Sequence, residues 1–201
     1  MYEEVHIVHY PDPVLREKCA VFRDGDLAGP DRREELAALV KRMGQVLLEE
    51  RGVGLAAPQV GVPRRLFVIN LTGEPGKEQA YINPRFELLA GQELGEEGCL
   101  SIPDVRVQVR RATEVVLRAV GLDGEPFEEK AEGLLARAFQ HEIDHLNGRL
   151  ILDYMSEEEK LVNRRAIQDL QAAYEKTHPK PKKKSGARRS APSRKRRTAR
   201  R

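Results

Sequence analysis

The chain's 201 residues suit one domain whose core stands without disulfides or a structural metal, and its two cysteines, Cys19 and Cys99, exclude a disulfide-stapled secreted scaffold. The net charge of +3 conceals an asymmetry: residues 178–201 hold 12 of the 35 Lys and Arg residues and no Asp or Glu, leaving 23 basic against 32 acidic in residues 1–177, a body of −9 joined to a tail of +12. No basic start is followed by an apolar run, and no stretch approaches the roughly 20 apolar residues that span a bilayer, so a cytoplasmic protein with no membrane partner is expected.

Leu36, Leu39, Val40, Met43 and Leu47 recur at helical spacing between Asp31, the expected N-cap, and Gly52, the expected stop, which predicts a helix over 31–50. The middle of the chain changes character. Arg65–Asn70 is β-rich, Val105, Val107 and Val109 alternate with polar residues, and Thr113–Val120 is a β-branched run closed by the turn Gly121-Leu122-Asp123-Gly124. From Glu132 the period is again helical, and Asn147-Gly148 ends that helix. Leu150–Leu152 reads as strand-like. Ser156 and Glu159 form a capping-box pattern that opens one last helix through Leu161, Ile167 and Leu170 to about Tyr174. Helix, strands, helix and helix in this order predict an α+β fold, with mostly antiparallel or mixed sheets packed around the helix at 132–147.

That helix carries His141-Glu142-Ile143-Asp144-His145. Two histidines four residues apart present both imidazoles on one helix face, where they can share a metal ion, and a carboxylate beside the ion can take a proton from bound water. A catalytic metal needs three protein ligands and an open position, and Cys99 in Gly98-Cys99-Leu100-Ser101 completes the count with His141 and His145. A third block, Gly52-Val53-Gly54-Leu55-Ala56-Ala57-Pro58-Gln59, ends in an amide side chain after glycines that let backbone approach a substrate closely.

These blocks, in this order and at these separations, resemble the signatures of the peptide deformylase family: Gly52 to Gln59, Glu97-Gly98-Cys99-Leu100-Ser101, and Gln140 to Leu146. The resemblance also takes in Tyr10-Pro11-Asp12-Pro13-Val14-Leu15, and so covers roughly the first three quarters of the chain. It implies a hydrolase that removes the formyl group from the N-terminal formyl-methionine of newly synthesised polypeptides and releases formate. Metal-bound water is then the nucleophile and Glu142 the general base and acid. The resemblance further implies that the Gln59 side-chain amide and the Leu100 backbone N–H stabilise the oxyanion, beside the metal. The substrate would run extended along the Gly54 segment, its methionine in a pocket of Val53, Leu100, Leu134, Ala138 and the His141 ring, with Arg106 and Arg137 near the rim.

Cys with two His suits Fe(II), Zn(II), Ni(II) or Co(II); the family resemblance implies Fe(II) in the cell and Zn, Ni or Co after preparation in air. The tail at 178–201, rich in Lys and Arg with Pro, Ser, Gly and Ala, cannot bury a core and is expected to be disordered. Such a run favours polyanions, and for an enzyme of nascent chains the expected partner is the ribosome through its RNA, the domain itself ending near residue 177. A zinc endopeptidase shares the two-histidine helix, but here the matched third ligand, Cys99, lies 42 residues upstream of His141. An RNA-binding protein with a structural metal would need a fourth closed ligand, and Cys19 has no metal-ligand spacing around it.

Overall fold

The structure, a computed structural model, describes residues 5–27 and 29–179. The helices are α1 (Asp24–Leu27), α2 (Pro30–Glu49), α3 (Gly133–Leu146), α4 (Glu157–Val162) and α5 (Arg164–Thr177). The strands are β1 (Gly54–Ala56), β2 (Leu66–Ile69), β3 (Gln79–Ala90), β4 (Glu93–Cys99), β5 (Ile102–Arg111), β6 (Glu114–Val120) and β7 (Pro126–Glu132). A five-stranded sheet runs β1-β2-β3-β6-β7, and β4 and β5 make a separate two-stranded ribbon. All of these pairings are antiparallel, so the fold is α+β as the element order predicts.

The sheet lies between α2 and α3. Successive strand residues face opposite sides. Leu55, Leu66, Val68, Ala80 and Ile82 therefore pack on Leu39, Met43 and Leu47 of α2, whereas Ala56, Phe67, Ile69 and Tyr81 pack on Ala136, Phe139 and Ile143 of α3. With both faces covered, β2 is an unbroken apolar run, Leu-Phe-Val-Ile, rather than an alternating one. Phe67 stacks on Tyr81 at 4.7 Å between ring centres, and Phe139 of α3 closes on Tyr81 edge-on at 5.0 Å, fixing the helix against the sheet. The inward face of β5 packs under the chain's N-terminal segment and α5.

Several local expectations are revised. Helix α2 begins at Pro30 with Gly29 at the cap, so Asp31 lies in the first turn rather than at the N-cap; proline fits there because its missing N–H has no helical partner to lose. The chain leaves that helix through Arg51, which takes the left-handed conformation (φ 55°), and Gly52 is small for another reason: a Cβ there would press on Leu47 and Leu100. Leu150–Leu152 is not a strand; Ile151–Tyr154 forms a 3₁₀ turn whose N-terminal Leu150 N–H is held by Asp153. The capping box at Ser156 and Glu159 forms as predicted, but the last helix is broken at Asn163. The Asn163 side chain donates to the carbonyls of Glu159 and Arg106, which ties the break to β5. The basic tail lies, from residue 180 onward, outside the described residues.

Candidate metal centre

Cys99 ends β4, where the strand turns through Leu100 and Ser101 into β5, and α3 brings His141 and His145 one turn apart against it. The Cys99 Sγ is 3.2 Å from His145 Nε2, and one donor atom from each of the three residues lies within 4.8 Å of the other two. First-row ions bind sulfur at about 2.3 Å and imidazole nitrogen at about 2.0–2.1 Å, so donors this close fit around a single ion. His141 presents Nε2 to the site because its Nδ1 is taken by Glu97 Oε2 at 3.0 Å, a carboxylate–imidazole contact that fixes ring and tautomer. Burial pushes His145 well below its ordinary pKa, towards the neutral form in which imidazole ligates. For His141 burial acts the same way, but the hydrogen bonds with Cys99 and Glu97 outweigh it and raise its proton affinity.

Glu142 lies on the same helix, buried, with Oε2 lacking any protein partner. Burial raises its pKa to about 7, with the charge of His141 opposing and that of Glu97 adding. Its carboxylate rests on β1: a Cβ on Gly54 would collide with it, so the second glycine of the Gly52–Gln59 block makes room for Glu142. Gln59 is oriented by its own backbone neighbourhood. Its Oε1 accepts from the Ala56 N–H at 2.8 Å, which turns its Nε2 towards Cys99 Sγ (3.5 Å) and Ser101 Oγ (3.3 Å). The N-terminal segment secures both loops, Val8 N–H donating to the Gln59 carbonyl and Tyr10 N–H to that of Ser101.

A cavity of about 630 Å³ opens on this centre. Val53, Gly54, Gln59, Cys99, Leu100, Arg106, Leu134, Ala138, His141 and Glu142 all line it, so most of the residues singled out from the sequence meet at one place, while His145 sits behind them. Leu134 is half-exposed at its mouth, and Arg106 lies over Gly98 with its guanidinium mostly in solvent. Arg137 also lines this cavity, from within its wall. Its side chain is only 15% exposed, pairs with Glu97 at 3.0 Å and donates to the Val109 carbonyl, against Gly95, where a Cβ would clash with it.

A buried ionic network behind the donors has no counterpart among the sequence expectations. Glu97 accepts two hydrogen bonds from Arg111 at 2.9 Å each, and Arg111 also pairs with Asp144 at 2.6 Å; Asp144 in turn accepts from the Tyr154 hydroxyl at 2.7 Å. A signal for it exists in the sequence. Arg111 continues the inward series Val105, Val107, Val109, and a cation on a buried strand face requires a buried anion. Glu97, two residues before Cys99, shares its strand face.

Comparison with known proteins agrees with this geometry. Residues 5–161 match the family model described as polypeptide deformylase. The chain is 44% identical to the peptide deformylase of Acidobacterium capsulatum over 84% of this chain and 96% of the relative. Its structure is similar to the peptide deformylase of Legionella pneumophila (TM-score 0.76, 36% identity, 88% of this chain and 99% of that one). It is similar also to a plant peptide deformylase (TM-score 0.81, 36% identity, 90% and 96%). With a Cys-His-His donor set at the end of a cavity and a match running through every element that builds it, the chain belongs to the polypeptide deformylase family of enzymes.

Proposed function

We propose that this enzyme hydrolyses the formyl amide of N-terminal formyl-methionine on newly synthesised polypeptides in the cytoplasm, releasing formate. The observation that carries the reading is the convergence, on one cavity, of three metal donors with a buried carboxylate oxygen that has no protein partner. Cys99, His141 and His145 would hold the ion, Fe(II) in the cell, with Zn(II), Ni(II) or Co(II) acceptable to the same donors. When bound, the ion would supply Lewis acidity that brings the pKa of the attacking water down towards neutrality.

Glu142 is placed to take the proton of the attacking water and to deliver it to the methionine nitrogen as the formyl C–N bond breaks. A carboxyl raised towards 7 by burial is suited to both transfers. Gln59 Nε2, held by the Ala56 contact, and the Leu100 N–H donate to the oxyanion. β1 is an edge strand, so main chain of an extended substrate can pair beside Gly54. Val53, Leu100, Leu134, Ala138 and the His141 ring make an apolar receptacle for the methionine side chain, and Arg106 faces the residues that follow. The catalytic domain spans residues 1–177 in this reading, and the basic segment 178–201 engages ribosomal RNA.

The test is protein purified without oxygen, its metal determined, and formate release measured from a formyl-methionyl peptide beside its acetylated analogue. Formate from the first and no hydrolysis of the second is expected. Cleavage of unformylated internal peptide bonds instead would refute the assignment.

A further inference from the structure

We propose that a second groove, between α5 and the Pro103–Asp104 ridge, carries downstream residues of the polypeptide whose formylated end lies at Cys99, His141 and His145; the proposal rests on the function given above. The groove adjoins the catalytic cavity across a shared wall. Pro103 and Asp104 line both the 630 Å³ cavity and the groove of about 490 Å³ beyond it. The ridge exists because pairing of β4 with β5 slips from Glu97↔Val107 to Cys99↔Ile102, leaving residues 103–106 outside the ladder, with Asp104 in the left-handed region (φ 62°).

The far wall is apolar. Ala166, Leu170 and Ala173 recur at helical spacing along α5, and Val162, at the end of α4, joins them. Val162 is 82% exposed, the most exposed large hydrophobic side chain among the described residues, although Ile167 and Leu170 of the adjoining turns pack on the β5 core. The two charged residues of α5 at the groove, Arg165 and Asp169, approach each other at 3.9 Å, so α5 adds no uncompensated charge. An apolar surface on a helix that packs on β5 through the partly buried Ala166, Ile167 and Leu170 matches an occupant whose side chains vary.

A nascent polypeptide is such an occupant. A cavity of this size takes a ligand of drug-like dimensions, hence only the first few residues of a chain that advances about 3.3 Å per residue when extended. The remainder leaves across the cavity wall, and at Pro103 and Asp104 that wall is shared with the groove.

The experiment uses the full chain with its metal, and compares a formyl-methionyl tripeptide with a formyl-methionyl nonapeptide bearing apolar residues at its fifth to eighth positions. Val162→Glu and Ala173→Trp alter the groove at exposed positions away from the catalytic cavity. The wild type should show a KM for the nonapeptide about fivefold below that for the tripeptide, since partial burial of one or two apolar side chains yields changes of that order. Both variants should abolish most of this advantage while leaving tripeptide kcat/KM and melting temperature unchanged. An advantage that survives both substitutions, or equal losses on the two peptides, overturns the proposal. A nonapeptide advantage absent from the full chain and gained only on removal of residues 180–201 would make the chain's own basic segment the occupant and overturn it too. Absence of formate from either peptide would refute the activity itself.

Discussion

Replacing Glu97 with Gln should weaken both the fold and the metal site. The carboxylate is 4% exposed and serves Arg111 twice at 2.9 Å, Arg137 at 3.0 Å and His141 Nδ1 at 3.0 Å. Burial alone would raise its pKa; the Arg111 and His141 hydrogen bonds, with the charge of Arg111, override that and hold it at about 2 against an ordinary 4.5. At 1.36 kcal/mol per unit this difference corresponds to about 3 kcal/mol. Arg111 is raised by the same contacts, so its shift is not added. Breaking a buried pair by removing one partner costs about 3–5 kcal/mol, and Arg111 retains Asp144, which places the expected loss at the lower end, about 3 kcal/mol. Urea unfolding should show a lower midpoint with unchanged m. Chelator competition should show metal affinity reduced about 10–100-fold, the usual effect of losing a carboxylate that orients a ligating histidine. Because the folded pKa is depressed, the stabilisation is complete above about 4.5 and is lost as pH falls from there towards about 2, so the acid unfolding of the wild type should converge on that of the variant in this window. Stability within about 0.5 kcal/mol of wild type, together with unchanged metal affinity, would refute the reasoning.

Glu142→Gln should retain metal and lose roughly 10²–10⁴ in kcat, by steady-state formate assay, since only the proton acceptor is removed. Cys99→Ser should lose metal on dialysis, a hydroxyl being a poorer donor than a thiolate; Cys19→Ser should keep metal and activity, and Cys19, whose thiol burial pushes up to about 11, should resist thiol reagents in the native protein at pH 7. Gly54→Ala should lower activity with metal retained, because the new Cβ displaces the Glu142 carboxylate; full turnover would show that β1 yields instead. Truncation after Thr177 should leave short-peptide hydrolysis unchanged while weakening ribosome binding and reducing the slope of its log–log salt dependence, by roughly 0.7–0.9 for each phosphate that the tail no longer neutralises.

What the sequence by itself determined is what local geometry dictates. Four-residue spacing on a helix puts His141 and His145 on one face whatever surrounds them; the α2 stripe from Leu36 to Leu47, the Asn147-Gly148 stop and the Ser156–Glu159 box follow equally from backbone periodicity and capping. The three separated blocks of the deformylase signature extended that reach to Cys99 and Gln59. Tertiary structure decided the rest, because it depends on which strands meet. Only the ribbon formed by β4 and β5 brings Glu97 and Arg111 behind the histidines, and only the packing of β1 on α3 shows that Gly54 exists to admit the Glu142 carboxylate. The break of the last helix at Asn163 is likewise invisible to its amphipathic pattern, since the amide that stabilises it reaches a carbonyl 57 residues earlier in the chain. Interactions between residues distant in sequence are set by sheet register and layer packing, and neither is encoded in any one segment.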